Sequence, residues 1–155
     1  MKNAIKSPGL KIPPPIFYVT AIILGLVLHY FFPITFLSEV WKYSIGIALI
    51  LISGTIIPLV IIRYKKLKTP FDVRKPAKIL ITDGPNRYSR NPGYLALTLL
   101  YLGTGFILNN VWILALSIPV ILGMDLLIIR REESHLEAVF GKEYLRYKSA
   151  VRRWI

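Results

Sequence analysis

Apolar and polar positions fall into long blocks along this chain, not into the short alternation of a surface helix. Four runs, residues 16–32, 43–62, 94–108 and 111–129, are almost free of charge. Crossing roughly 30 Å of hydrocarbon takes about 20 helical residues, so runs of this length predict bilayer spans. The expected fold class is an all-α integral membrane protein with about four transmembrane helices. The last two are joined by Asn109-Asn110 and predict a tight helical hairpin. Beyond residue 129 the pattern turns amphipathic, with Arg130, Arg131, Glu132, Glu133 and Glu137 alternating with Leu136, Val139 and Phe140. Gly141 is the expected end of that helix, and a last short helix is expected over 142–151. The whole chain, 1–155, reads as a single membrane domain: a strap and two spans over 1–66, then a loop, the hairpin and the short helices over 67–155.

The polar blocks refine this outline. Pro8, Pro13, Pro14 and Pro15 predict an extended strap over residues 1–15, because proline lacks the amide hydrogen a helix interior needs. The first apolar run resembles the core of a signal peptide, but Phe31-Phe32-Pro33 offers no small-residue cleavage site, so it is read as a span. His29 near its outer end reads as an interfacial residue. Residues 33–42 form an outer loop, with Trp41 and Tyr43 as interfacial anchors. Pro58 predicts a kink near the inner end of the second span. The segment 67–92, broken by Pro70, Pro76, Pro85 and Pro92, is long for an idle connection, and residues 79–82 suggest a short extended piece within it. Gly103, Thr104 and Gly105 allow close helix approach. Asp125 lies inside an apolar run, where a carboxylate needs a partner or a wet cavity.

Charge sets the orientation. The chain carries +12 at pH 7 although 54% of it is hydrophobic. With four spans, 19 of the 20 Lys and Arg residues fall on one side and only Lys42 on the other. The positive-inside rule makes the basic side cytoplasmic, with both termini inside. The charges flank apolar spans and have no soluble domain to sit on, which argues against nucleic-acid binding and for anionic headgroups. Cysteine is absent, so disulfides, thiolate nucleophiles and thiolate metal sites are excluded.

Two polar clusters stand where apolar runs meet the cytoplasmic side. One is Thr82-Asp83-Gly84-Pro85-Asn86-Arg87-Tyr88-Ser89-Arg90-Asn91-Pro92-Gly93-Tyr94, and the other is Glu132-Glu133-Ser134-His135. A tail follows, Phe140-Gly141-Lys142-Glu143-Tyr144-Leu145-Arg146-Tyr147, then Val151-Arg152-Arg153. In order and spacing these resemble the signature of the integral-membrane methyltransferases, including isoprenylcysteine carboxyl methyltransferases and phospholipid N-methyltransferases. The resemblance covers roughly residues 80–154. It departs at Asn91, where the family usually has histidine; an amide can position a partner but cannot act as an acid or base near neutrality.

The resemblance implies S-adenosyl-L-methionine as methyl donor and a lipid or prenylated small-molecule acceptor. Arg90, and next Arg87, suit the donor's carboxylate, which a guanidinium binds bidentately. Asn91 and Pro92 belong to the same turn. Glu132 or Glu133 suits a ribose diol, and Tyr94, Tyr144 or Tyr147 an adenine. The expected catalytic residues are Glu133, as proton acceptor for an amine, and Arg153, to orient a carboxylate acceptor. No metal is implied. Asp125 and Glu132, seven residues apart, are expected on one helix face. The bland reading of Glu132 and Glu133 is a solvated face paired with Arg130 or Arg131, and that of Arg152 and Arg153 is headgroup binding. A homo-oligomer, in which a second copy completes the lipid pocket, is a further expectation. The alternatives are a nicotinamide-dependent membrane reductase of the steroid/sterol type and a non-catalytic small membrane subunit.

Overall fold

The computed structural model describes residues 13–69 and 79–155, and these are helical with no strand. Helix α1 spans Pro14–Phe31 and α2 spans Glu39–Lys66. A 3-10 turn, Gly84–Arg87, precedes α3, Pro92–Ile107. Helix α4, Val111–Gly123, runs through a π-helical turn, Met124–Ile129, into α5, Arg130–Phe140. Helix α6 is Lys142–Ala150. Three helical segments, Pro14–Phe31, Glu39–Lys66 and Val111–Phe140, are long and apolar enough to cross a membrane, and α3 is a shorter apolar helix. Side chains such as Val19, Ile23, Leu51 and Leu122 point outward, as an apolar solvent requires.

Several expectations shift in detail. Prolines 14 and 15 do not delay α1, since the first helical turn needs no amide hydrogen from them. The rest of the predicted strap, residues 1–12, lies outside the described residues, as do residues 70–78 of the long loop. Helix α2 begins at residue 39 and ends at 66, against an expected 43–62. Trp41 therefore sits on its first turn, not in the loop, and both Trp41 and Tyr43 are exposed there. Residues 79–82 form no strand.

Glycine decides which helices touch. Helices α2 and α3 run antiparallel with Gly46 against Gly103. A Cβ added to either would stand 2.9 Å from the carbonyl oxygen of the other. Ser53 Oγ extends that seam by donating to the Ala96 carbonyl at 2.7 Å. Helix α1 meets α4 at Gly25, where a Cβ would lie 2.5 Å from Ile113 Cγ1. Without a hydrophobic drive between helices in lipid, such close backbone approach supplies the packing.

The hairpin turn also fastens the outer loop. Asn109 adopts a positive φ of 48°; its Oδ1 accepts from Phe36 N and Leu37 N, while Nδ2 donates to the Leu37 carbonyl. Asn110 caps α4 by accepting from Trp112 N and Ile113 N.

Gly103→Leu is expected to force α2 and α3 apart and to destabilise the fold by about 1–3 kcal/mol or more. Gly54 has nothing within 4 Å of an added Cβ, so Gly54→Ala is expected to be neutral or mildly stabilising. Thermal unfolding of both variants in one detergent checks the contrast.

Candidate active site

The turn-rich segment before α3 is held from three sides. Arg63 at the end of α2 pairs with Asp83. Gly84 takes a φ of 60°, in the left-handed region that favours glycine, and opens the 3-10 turn. Asn86 in that turn is buried; its carbonyl accepts the Tyr147 hydroxyl at 2.7 Å, and its side chain bonds the Tyr64 hydroxyl.

The chain's last residues close the third side. Arg90 N–H donates to the Arg152 carbonyl at 3.0 Å. Ser89 Oγ and Asn91 Nδ2 both donate to the Arg153 carbonyl, at 3.3 and 3.0 Å. Asn91 thus works through its amide as a positioning group. Pro92 then starts α3, where its missing amide hydrogen costs nothing.

A chain of opposite charges runs beneath this joint. Arg90 Nη2 lies 2.8 Å from Glu133 Oε1, and the two side chains are 9% and 6% exposed. Arg153 Nη2 reaches Glu133 Oε2 at 2.7 Å, and its Nη1 reaches Asp125 Oδ1 at 2.9 Å. Arg130 Nε closes the far end on Asp125 at 3.2 Å. The bond to Glu133, more than any other contact, holds the Arg153 guanidinium above its ordinary basicity. Neither glutamate pairs with Arg130 or Arg131 as the solvated-face reading required.

Glu133, not Glu132, shares a face with Asp125. The π turn is the reason: Arg130 N–H bonds the Asp125 carbonyl, an i→i+5 step. Such a turn holds about one residue more than an α-turn, so the residue two turns on moves from the seventh to the eighth. Glu132 instead faces Tyr94, whose hydroxyl donates to Oε2 at 2.8 Å. No described residue partners its Oε1.

The structure therefore brings Arg90, Asn91, Pro92, Glu133 and Arg153 into one joint, with Tyr94 and Glu132 beside it. Tyr144 and Tyr147 are buried next to it, their rings edge-to-face at 6.2 Å. Burial raises both hydroxyl pKa values, that of Tyr147 to about 12, so both stay protonated at neutral pH. Arg87 is not part of this joint. It is exposed and lines a cleft of about 420 Å³ with Ile56, Leu59, Tyr88 and Leu95, which borders the joint at Ser89 and Pro92. Three buried polar atoms near the joint have no partner among the described residues: Asn86 Oδ1, Arg90 Nε and Tyr144 Oη. Sequence reasoning missed Asn86 and Tyr64; nothing in their spacing sets them apart, and only tertiary packing brings them together.

The model of the phospholipid methyltransferase family matches residues 41–143. An uncharacterized protein of Haemophilus influenzae is 44% identical over 62 residues, 40% of this chain and 98% of its own length. A solved structure of the eukaryotic intramembrane Ras methyltransferase, isoprenylcysteine carboxyl methyltransferase, superposes with a TM-score of 0.61 at 24% identity. It covers 90% of this chain, which spans about half of that protein. That likeness is one of fold. With more than half of its residues matched by the family model, the chain belongs to the phospholipid methyltransferase family.

Proposed function

We propose that this chain is a membrane-embedded methyltransferase that uses S-adenosylmethionine and acts on a lipid or lipid-like acceptor bearing an amine or carboxylate. The observation that carries the proposal is the buried Arg90–Glu133 pair of the joint, with Tyr94 and Glu132 beside it, at the end of the apolar hairpin. Orphaned polar atoms of both kinds, acceptor and donor, border it, and they fit a ligand of mixed polarity. The donor, when bound, supplies a sulfonium methyl group already activated for displacement. The charge asymmetry supports a cytoplasmic site, where a soluble donor and a bilayer-borne acceptor meet.

The residues divide the work. Both oxygens of Glu133 are engaged by guanidinium groups, so it holds Arg90 and Arg153 in place and is a poor proton acceptor. Glu132 keeps one oxygen without a partner among the described residues, and it is the carboxylate that can take a proton from an amine acceptor or accept from a diol. Tyr94 fixes its orientation. Arg90 has its Nη atoms committed to Glu133 and the Lys148 carbonyl, leaving Nε to meet an anionic or carbonyl oxygen. Arg153, with Asp125 and Glu133 on its fork, orients the joint. Burial of these groups excludes water and aligns the reactants, which is most of what a displacement on an activated donor requires.

Calorimetric titration of the detergent-purified protein with S-adenosylhomocysteine tests the reading. Saturable binding is expected, weakened tenfold or more, about 1.4 kcal/mol, by Glu132→Ala or Arg90→Ala. Absence of binding by folded wild type, with binding of a nicotinamide dinucleotide, would replace this reading with a reductase.

The adjacent carboxylates are expected to separate in a second measurement. Glu133→Ala leaves the buried Arg90 guanidinium without its counter-ion and removes one of the two partners of the part-exposed Arg153, and should cost about 3 kcal/mol of stability. Glu132→Ala should cost far less in stability while losing ligand affinity. Denaturation midpoints in one detergent, set beside the titrations, check this.

A further inference from the structure

The cleft beside the turn has walls of two kinds. Ile56 and Leu59 of α2 and Leu95 of α3 make it apolar, and Arg87 is the only charged side chain among the described residues that line it. Leu59 is 56% exposed and Tyr88 76%, so the cleft opens outward from the helices. At about 420 Å³ it falls within the roughly 300–1,000 Å³ of ordinary ligand pockets. No carboxylate among the described residues pairs with Arg87, and Asp83, nearby in the chain, is taken by Arg63.

Depth follows the same division. Ile56 stands seven residues before Arg63 on α2, about 10 Å of helix into the apolar span. Gly84 is level with the basic end of that helix, since a Cβ added to it would lie 3.9 Å from Arg63 Cδ. Arg63, Lys65 and Lys66 mark where α2 leaves the hydrocarbon. The cleft therefore runs from the level of headgroups, where the turn presents Arg87 and the exposed Tyr88, down to the level of acyl chains. A neutral lipid would fill the apolar depth and leave Arg87 unmatched. A cationic one would meet a guanidinium and the basic end of α2. A glycerophospholipid of net negative charge suits both parts, with a chain along Ile56, Leu59 and Leu95 and its phosphate on the planar guanidinium fork.

We propose that this cleft binds one anionic glycerophospholipid, which braces the turn from outside and is not the methyl acceptor. Cleft and joint meet only at Ser89 and Pro92. Ser89 Oγ is turned toward the joint, donating to the Arg153 carbonyl and accepting from Asn91 N, and Pro92 has no amide hydrogen to offer. Neither Glu132 nor Tyr94 lines the cleft, so a headgroup held by Arg87 is not presented to the open carboxylate oxygen. The lipid bears instead on the turn that carries Arg90 and Asn91. The inference concerns binding alone and stands whether or not the chain transfers methyl groups.

Native mass spectrometry of the full chain in neutral detergent tests it, with titrations of phosphatidylglycerol and of phosphatidylcholine bearing the same acyl chains. One phosphatidylglycerol per chain is expected, bound about fivefold more tightly than phosphatidylcholine, which is the worth of one cation beside an anionic headgroup. Arg87→Gln should bring the two affinities within about twofold. Lys65→Gln removes an exposed cation of the same region that does not line the cleft, and it should leave the preference in place. Leu59→Trp fills the apolar part with Arg87 retained, and should weaken phosphatidylglycerol about fivefold or more. Equal affinities in wild type would overturn the assignment, as would a preference that survives in folded Arg87→Gln. So would an equal loss in Lys65→Gln, which marks diffuse attraction to a basic surface. Phosphatidylethanolamine that displaces phosphatidylglycerol and is methylated once S-adenosylmethionine is added would make the cleft the acceptor's site and overturn it too. The binding titrations contain no methyl donor, so their failure leaves the methyltransferase reading standing.

Discussion

Glu133 is the point on which the site depends. Its two oxygens join Arg90, from the turn before α3, to Arg153, at the end of the chain. A carboxylate almost wholly removed from water is tolerable only when its partners are close and well aligned. Here they are, because each arginine is itself held: Arg90 by the Arg152 and Lys148 carbonyls, Arg153 by Asp125. The result is a joint that closes the turn, α5 and the last residues upon one another.

Asp125 explains why a carboxylate is found in the apolar arm at all. Its charge is matched by Arg153 and Arg130, so the cost of placing it near hydrocarbon is offset by anchoring the last residues of the chain. The π turn makes this geometry available. In an uninterrupted α-helix, the seven-residue spacing would have turned Glu132 toward Asp125 and left Glu133 facing elsewhere. The wider turn hands the structural role to Glu133 and frees Glu132.

That exchange marks the boundary of what the sequence reveals. Features set by local chemistry are legible: the hairpin at Asn109-Asn110, the stop at Gly141, the amphipathic α5, and the small residues of α3 as packing sites. The order of polar clusters points to Arg90, Asn91, Tyr94 and the two glutamates. What it does not reveal is long-range or depends on a change of helical pitch. The clamp of Asn109 on Phe36 and Leu37 spans over seventy residues. Nothing in Met124–Ile129 announces a π turn. Asn86 looks like an ordinary turn residue until Tyr64 and Tyr147 are seen around it.

Consecutive helical residues point about 100° apart, so a Glu-Glu pair cannot put both carboxylates to one use. One side of α5 faces guanidinium groups and becomes part of the frame. The other faces Tyr94, and its second oxygen has no partner among the described residues. Such a pair needs both residues as carboxylates, although only one is open to the proposed ligand. The charged joint uses internal partners, so the frame does not rely on the proposed ligand to hold its shape. A site assembled in this way keeps its shape at a membrane surface, where water and headgroups compete for the same polar atoms.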